Sequence, residues 1–392
     1  MKVGLIIDEP VKKKILELAG SSPGPFYFYD SEKIRKNCGK FLAIPYSPCS
    51  VHYAMMANAN PPFLKIIKQA GLNVFVNSLL HLETALSLGF HGDGIIYAAS
   101  AMDVATMKAV RSCGATLILD STGQIDLWQS LFPDAAMGIR CNIGELVVPR
   151  KTTGGYFIGN ESRLGLTIGS IKNLKGNPSV SGLHIYVGTN ISEIDYFISC
   201  YKHVADLAGF FPNLKYLDFG GGFGSGEKDS TEFDMVTFNR KITALMEEVS
   251  ENVSCKIKLI LEPGRIIGVD AGYFVCRITD IKNFNNQQLI GVNASCAQFP
   301  RPFFYPDSAF HPVLIISKNG VSKNESGMLS SIYGCSTYSR DYLAQGMELP
   351  RAHVGDIVIF GQAGSYCATA HSDFLGFPKA EEYFYDCKAS HF

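Results

Sequence analysis

The feature that most constrains the fold is a regular alternation of apolar runs and amphipathic stretches between about residues 30 and 270. The apolar runs are four to eight residues long, which suits strands buried on both faces, and the stretches between them have helical spacing. Examples are NVFVNS with LHLETALSLG and TLILDS with GQIDLWQSLF. Repeated strand–helix units form parallel sheets, and about eight units close a β/α barrel. We therefore predict an α/β fold with a TIM-like barrel whose active site lies at the carboxyl ends of the strands.

The pattern changes after about residue 272. Strand-like segments such as GDIVIFGQAGSY follow one another there with turn residues between them. The weak helical periodicity of this region indicates a β-rich second domain. The strand-like FYFYD near the N-terminus would lead from that domain into the barrel. The predicted organisation is a barrel over residues 30–272 and a β-rich sandwich or barrel domain made of residues 1–29 and 273–392.

Composition excludes several classes of function. A net charge of −1 provides no field that would attract nucleic acid or an anionic membrane. The sequence has no apolar run long enough for a transmembrane helix and no signal-peptide pattern at its N-terminus. The 11 cysteines lack ligand spacing, which argues against a disulfide framework and a zinc site. We expect a cytoplasmic protein without a nucleic-acid or membrane partner and without a metal.

Two turns that follow apolar runs could contact an anionic or flat ligand. Gly220, Gly221 and Gly222 come directly after YLDF, and consecutive glycines let backbone amides approach a phosphate closely. A glycine turn that only caps a barrel strand explains the pattern equally well. Glu262 and Arg265 flank the turn after KIKLIL. They could place a carboxylate against a ring nitrogen, although a surface ion pair is the simpler interpretation of this segment alone.

Two further segments end predicted strands. His184 and Tyr186 are two residues apart on a strand, so they share a face and could contact a flat cofactor. A strand histidine is more often a buried core residue, and that alternative stays open. The segment HYAMMAN, which contains Met56, suggests no chemistry by its composition. It becomes informative only by comparison.

Taken together and in this order, the segments resemble the fold-type-III pyridoxal-phosphate decarboxylases. That family includes the ornithine, arginine, lysine and diaminopimelate decarboxylases and relatives from natural-product and siderophore pathways. The resemblance runs from FYFYD to the C-terminus and is carried by the spacing of GGGFG and EPGR and by the ending GDIVIFGQAGSY…DFLGFP. It implies a barrel that binds pyridoxal phosphate, a following β-domain and an amino-acid substrate. It also implies a homodimer whose sites are each built from both subunits.

The resemblance assigns roles to individual residues. The three glycines match the loop that binds the cofactor phosphate. Glu262 matches the acid that keeps the pyridine nitrogen protonated, which makes the ring an electron sink. Further matches are phosphate-side positions at Gly264, Arg265 and Tyr366, and an aspartate of the dimer contact at Asp341.

The departures from the family concern catalytic groups. The family's YAVKAN is YAMMAN here, so Met56 stands in place of the Schiff-base lysine. Phe75 stands where the family has the acid of FDVAS, and Tyr186 replaces the stacking histidine of HxHxG, while His184 is retained. Methionine can neither form an imine nor carry a proton, so ordinary turnover should be badly impaired. The cofactor could still bind without a covalent bond, or be absent.

The C-terminal departures concern the segment that one subunit of the family gives to the other's site. GCSTYSRD aligns without gaps on GPxCESxD, which puts Thr337 at the catalytic cysteine and Tyr338 at the acidic residue beside it. A two-residue slip would put Cys335 in the catalytic position but would lose Asp341, so we prefer the ungapped alignment. Arg163 stands at a family lysine that can pair with this aspartate, and we expect that pairing across the dimer.

Three functions remain open from the sequence. The chain could be a decarboxylase that acts on an amino acid or amino-acid derivative, for example in a natural-product or siderophore pathway, with Met56 engineered or tolerated. It could instead be a catalytically impaired homologue that acts by binding a partner, or a barrel enzyme with different chemistry. Phe75, Thr337 and Tyr338 together favour natural divergence. Tyr338 in place of an acid also argues against a substrate with a free distal amine, and favours a larger, acidic or carrier-bound derivative.

Overall fold

The computed structural model describes residues 5–151, 155–226, 232–284, 286–323 and 327–387. The chain divides into two compact units, Met1–Ile34 with Ile267–Phe392 and Arg35–Ile266. Within the described ranges, no helix combines the length and apolar character that crossing a membrane requires.

The secondary structure alternates through the second unit and is mostly strand in the C-terminal part of the first. The strands are β1 (Phe26–Asp30), β2 (Cys49–Ala54), β3 (Asn73–Val76), β4 (Ile95–Ala98), β5 (Thr116–Leu119), β6 (Met137–Asn142), β7 (Leu166–Thr167), β8 (Val180–His184), β9 (Tyr216–Asp218), β10 (Lys258–Leu261), β11 (Gly272–Phe284), β12 (Gln287–Val292), β13 (Val313–Ile316), β14 (Met328–Tyr333), β15 (Tyr342–Leu349), β16 (Ile357–Phe360) and β17 (Glu381–Tyr385). The helices are α1 (Glu9–Ser21), α2 (Ser31–Leu42), α3 (Pro61–Gln69), α4 (Leu79–Ser87), α5 (Val104–Ser112), α6 (Thr122–Leu131), α7 (Ile168–Asn173), α8 (Ile194–Ala205), α9 (Met235–Asn252), α10 (Arg265–Gly268) and α11 (Arg301–Phe304).

Eight parallel strands of the second unit close into a barrel in the order β2-β3-β4-β5-β6-β8-β9-β10, and β10 pairs with β2 to complete the ring. Short polar residues begin the helices soon after the strands end. Ser78, Asp103 and Ser121 each accept a hydrogen bond from a backbone amide in the first turn of α4, α5 or α6, which satisfies a donor that the helix leaves unpaired. The predicted TIM-like barrel is confirmed.

The barrel interior is layered because strand side chains alternate between two faces. Ile96, Ala98, Ile118, Tyr216 and Ile260 form an apolar cluster against which Phe75 packs. The residues two positions beyond Tyr216 and Ile260 are the acids Asp218 and Glu262. A polar layer therefore lies nearer the carboxyl ends of the strands than the apolar one, on the same interior face.

The first unit contains a mixed sheet of eight strands. Its main path is β13-β16-β11-β12-β14-β15, and β1 pairs with both β11 and β17. Helix α1 buries one side against this sheet. The core is made of the apolar residues Ile7, Val11, Ile15, Ala19, Phe26, Phe28, Tyr273, Val275, Ile316, Ile357 and Ile359. The predicted β-rich domain is confirmed as a fold class.

Candidate functional site

Three buried polar side chains meet at the carboxyl ends of neighbouring barrel strands. His184 ends β8, Asp218 ends β9 and Glu262 directly follows β10. One ligand atom of each lies within 4.8 Å of the others, and the His184 Nε2 and Glu262 Oε2 atoms are 3.4 Å apart. None of the three is more than 5% exposed. The strand order explains the cluster, because β8, β9 and β10 are successive neighbours in the barrel.

Burial sets the protonation of this cluster. It lowers the pKa of His184 to about 4, so the imidazole is neutral at pH 7. It raises the pKa of Glu262 to about 7, although Asp218 and Arg140 act in the opposite direction. Burial, and next the Glu262 carboxylate, raise the pKa of Asp218 well above its usual range. These residue types could also coordinate a divalent cation, but the positive charge of Arg140 nearby disfavours that use.

The glycine turn after β9 is packed so tightly that side chains cannot replace its hydrogens. A Cβ on Gly221 would lie 2.3 Å from the Glu262 carbonyl oxygen, and one on Gly222 would lie 2.1 Å from that of Gly188. Gly222 also has φ +100°, which disfavours other residues. The aromatic residues on either side hold the turn: Phe219 stacks on Tyr201 at 4.2 Å, and Phe223 packs among phenylalanines of α8 and α9.

Two backbone donors of this turn are left over. The Gly220 amide donates to Asp218 Oδ1 at 2.9 Å, whereas the amides of Gly221 and Gly222 have no acceptor among the described residues. Gly221 is buried and Gly222 half-buried. Buried amides are nearly always hydrogen-bonded. The turn therefore offers an anion two donors close to the buried acids.

Tyr186 and Met56 border the same rim of the barrel. The Tyr186 ring lies against the glycine turn, with its Cε2 atom 3.6 Å from the Cβ position of Gly222, and contacts Phe157 edge-to-face at 4.8 Å. Met56 lies partly exposed in the 3-10 helix Met55–Ala57 after β2. The amide of Ala54 donates to the Pro263 carbonyl at 3.1 Å, which ties this end of β2 to the turn after Glu262. That the Met56 sulfur lies near the glycine turn stays a prediction.

Arg265 begins α10 and is half-buried, and Gly264 before it is buried. The remaining predicted site residues belong to the β-rich unit, and we describe them within it. Tyr366 is half-buried and has φ +56°, a conformation that is uncommon outside glycine and asparagine and clusters at functional sites. Thr337 and Cys335 are both exposed, so their burial does not distinguish the two alignments.

The loop from Gly334 to Asp341 is organised by the aspartate. The Asp341 carboxylate is buried and accepts hydrogen bonds from the amides of Cys296 at 2.6 Å and Ser336 at 3.1 Å, and from the Ser336 hydroxyl. Tyr338 packs edge-to-face between Phe303 and Phe374. The expected pairing with Arg163 stays a prediction, and it would have to compete with these donors for the carboxylate.

Arg163 takes part in a polar chain at the carboxyl end of the barrel. Its guanidinium donates to the Ser100 hydroxyl at 2.8 Å, and that hydroxyl donates to Asp120 Oδ2 at 2.6 Å. Ser100 and Asp120 follow β4 and β5, across the barrel from β9 and β10 in the strand order. The Arg163–Ser100–Asp120 chain therefore lies on the opposite side of the rim from the glycine turn and the buried acids.

Comparisons with known proteins identify the family of the chain. The sequence model described as "Pyridoxal-dependent decarboxylase, pyridoxal binding domain" matches residues 31–269. This chain belongs to that family. It is 26% identical over 382 residues to a diaminopimelate decarboxylase of Methanothermobacter thermautotrophicus, an alignment that covers 94% of this chain and 88% of the relative.

Solved structures support the same fold. A crystal structure of diaminopimelate decarboxylase has a TM-score of 0.86 at 20% identity, and the alignment covers 96% of this chain and 92% of the chain in that structure. A lysine/ornithine decarboxylase complexed with putrescine from Vibrio vulnificus has a TM-score of 0.80 at 18% identity, with coverage of 97% and 99%. At these identities the likeness concerns the fold alone.

Two ionisable residues of the buried cluster and its surroundings have no recognisable motif in the sequence. Asp218 and Arg140 were not singled out, although Asp218 directly precedes the FGGG motif and Arg140 lies in the strand GIRCN. An ionisable residue at the carboxyl end of a fully buried barrel strand is the pattern that identifies both, because active sites form at that end. The structure brings the glycine turn, His184 and Glu262 together, and their roles toward a cofactor stay a prediction.

The raised pKa of Glu262 predicts a pH-dependent stability for the cofactor-free protein. The unfolded chain loses this proton near the usual value of 4.5, whereas the folded protein keeps it until pH is about 7. Stability should therefore fall as pH rises between these values. Glu262→Gln should remove this part of the slope and gain stability over wild type at pH 8 but not at pH 4. Urea unfolding at both pH values measures it, and equal slopes for the two proteins would contradict the expectation.

Proposed function

We propose that the barrel mouth binds pyridoxal phosphate without a covalent bond, and that the protein acts as a decarboxylase of low turnover on an amino acid or amino-acid derivative. The observation that carries the proposal is the pairing of two free amide donors, at Gly221 and Gly222, with a buried acid at Glu262. A phosphate needs the first and a protonated ring nitrogen needs the second.

Each group has one task in this proposal. When bound, the cofactor supplies a ring that takes up the electrons left behind when carbon dioxide departs. Gly221 and Gly222 bind its phosphate, and Glu262 holds a proton at the ring nitrogen. Tyr186 offers an aromatic face beside the turn, which suits a flat ring. Gly264, Arg265 and Tyr366 stay proposed phosphate-side residues through the family resemblance alone.

Met56 is the reason for low turnover. None of the eight barrel strands is followed by a lysine within the next four residues, so no lysine stands directly after a strand as it does in the family's motif. Methionine neither bonds to an aldehyde nor relays a proton. His184 is neutral at pH 7 and in contact with Glu262, and its imidazole can take up or release a proton. We propose it as the remaining catalytic group.

The substrate is proposed from the names of relatives and from Tyr338. The relatives are described as diaminopimelate and lysine/ornithine decarboxylases, so an amino acid or its derivative fits the family. Tyr338 and Thr337 replace the family's acid and cysteine, and Tyr338 lies in an aromatic cluster with Phe303 and Phe374. Tyr338 has no negative charge to pair with a free distal amine, whereas the acid that the family has at this position does. We therefore favour a larger, acidic or carrier-bound derivative, as in natural-product or siderophore pathways.

Binding of the cofactor to purified, cofactor-free protein tests the proposal. We expect saturable binding of pyridoxal phosphate by calorimetry. Pyridoxal, which lacks the phosphate, should bind at least about tenfold more weakly because it loses the charge-assisted bonds to the turn. Slow release of carbon dioxide from amino-acid mixtures would complete the case. No binding of either compound would reject the proposal and favour the homologue that acts by binding a partner.

We also propose a homodimer with shared sites, as the family resemblance implies. Light scattering at micromolar concentration should give about twice the 42.8 kDa of one chain. Arg163→Ala should weaken the dimer without unfolding the barrel if the predicted pairing with Asp341 exists. A single-chain mass for the wild type would contradict the dimer. A location in the cytoplasm stays a prediction from the sequence.

A further inference from the structure

The carboxyl groups of Asp218 and Glu262 are both buried and lie close to each other. Asp218 Oδ1 is occupied by the Gly220 amide at 2.9 Å. Among the described residues, Asp218 Oδ2, Glu262 Oε1 and His184 Nδ1 are all buried without a hydrogen-bond partner. One ligand atom of each of the three residues lies within 4.8 Å of the others. Two ionised carboxylates so placed would repel each other with no donor between them.

The charges around this pair do not remove the conflict. Arg140 is the cation that acts on Glu262, and it also acts on Asp120. His184 is neutral at pH 7, because burial lowers its pKa to about 4. Tyr201 on α8 and Tyr216 on β9 also interact with Asp218 and Glu262. Tyr186 after β8 and Arg163 beyond β6 interact with Arg140. One arginine offsets one carboxylate, so the second carboxylate keeps its proton.

We propose that Asp218 is the acid that stays protonated through the neutral range and that it donates a hydrogen bond to Glu262. This hydrogen bond stabilises a negative charge on Glu262 opposite a cationic ring nitrogen. Asp218 is then a positioning residue that acts through Glu262. The part of this proposal that concerns a ring ligand rests on the proposed function, whereas the protonation of Asp218 does not depend on it. When a ring that already carries N–H⁺ binds, Glu262 releases its own proton to solvent and Asp218 keeps its proton.

The chemistry of neutral acids supports this assignment. A carboxylic acid in an apolar site can remain protonated at pH 7 and serve as a hydrogen-bond donor. Asparagine has nearly the same shape and can donate at the same place, so Asp218→Asn copies the protonated state. Leucine has similar volume and no donor. Comparing the two substitutions therefore distinguishes the effect of a hydrogen-bond donor at this position from the effect of side-chain volume.

The first experiment measures proton release when pyridoxal phosphate binds the cofactor-free protein. Calorimetry in two buffers of different ionisation enthalpy gives the number of protons at each pH. The phosphate of pyridoxal phosphate also exchanges protons on binding. The quantity compared is therefore the number of protons released by wild type minus the number released by Glu262→Gln. We expect wild type to release close to one proton below about pH 7 and progressively less above it, as Glu262 titrates.

The substitutions at Asp218 decide between the two protonation states. Asp218→Asn should keep the midpoint of proton release within about half a pH unit and the affinity within about threefold. Asp218→Leu should lower the affinity by at least about tenfold, since Glu262 loses its donor. A midpoint that falls by a full pH unit or more in Asp218→Asn would mean that wild-type Asp218 is ionised, and would overturn the proposal.

A second experiment needs no ligand, so it separates failure of this proposal from failure of cofactor binding. If Asp218 stays protonated in the folded protein, the unfolded chain alone loses this proton above about pH 4. The folding equilibrium constant of Asp218→Asn relative to wild type should then rise by about tenfold for each pH unit between 5 and 7. Asp126→Asn, at an exposed position on α6, is the control and should show no such rise. A flat ratio for Asp218→Asn would overturn the proposal even if pyridoxal phosphate binds.

Discussion

Replacing Met56 by lysine should convert non-covalent cofactor binding into covalent binding. The new amine would follow β2 at the position where the family has its lysine, and it could bond to the aldehyde carbon of pyridoxal phosphate. Absorbance in the visible range should gain the band of a protonated imine, and the cofactor should then resist removal by gel filtration. Reduction of the imine by borohydride should make the attachment permanent. We expect the affinity to rise by about tenfold or more, because the covalent step adds to the phosphate and ring contacts.

Met56→Leu is the matched control for this change. Leucine keeps the size and apolar character of methionine and adds no amine, so its spectrum and affinity should equal those of wild type. Met56 is partly exposed, so neither substitution places a charge in the core. If Met56→Lys leaves the spectrum of the bound cofactor unchanged, the side chain does not face the cofactor, and the assignment of Met56 to the lysine position fails.

The activity of Met56→Lys distinguishes an engineered trap from natural divergence. A trap should regain rapid decarboxylation once the lysine returns, because every other catalytic group would be in place. A diverged site should gain the covalent bond but little activity, since Phe75, Tyr186 and Thr337 still stand where the family has an acid, a histidine and a cysteine. Release of carbon dioxide from labelled amino acids measures the difference. Strong activity would reject natural divergence.

The barrel could be predicted from the sequence because its evidence is spread over the whole chain. Eight apolar runs with helical stretches between them leave few alternative folds. The buried acids are harder, because a single Asp218 after the run YL has no periodic support and its partners lie about 40 residues away at Glu262 and at His184. Only the neighbouring positions of β8, β9 and β10 bring them together.

Packing inside a loop is equally invisible in the sequence. Asp341 was assigned to a dimer contact by resemblance, and nothing in GCSTYSRD indicates that its carboxylate accepts hydrogen bonds from Cys296 and Ser336. For the glycine turn, the sequence left phosphate binding and simple strand capping equally open. The structure gives both explanations a physical basis, because backbone crowding excludes side chains at Gly221 and Gly222 while their amides still have no acceptor among the described residues.

Alanine substitutions at three glycines should rank by the geometry of each position. Gly176 has φ +83° with nothing within 4 Å of a new Cβ, so Gly176→Ala should cost about 1–2 kcal/mol of stability through backbone strain alone. At Gly221, where no positive φ adds strain, the new Cβ would lie 2.3 Å from the Glu262 carbonyl oxygen. Crowding of this kind costs about 1–3 kcal/mol.

Gly222→Ala should be the most damaging of the three, because this position combines φ +100° with a contact of 2.1 Å to the Gly188 carbonyl oxygen. The two costs together predict a loss of about 2–5 kcal/mol, measured by urea unfolding of the cofactor-free proteins. The affinities of the three variants for pyridoxal phosphate should not follow their order of stability. The turn variants that remain folded should lose most of their affinity because the Gly221 and Gly222 amides move, whereas Gly176→Ala should bind as wild type does. If Gly222→Ala costs no more than Gly176→Ala and still binds the cofactor, the turn is not packed against Gly188 and does not hold the phosphate.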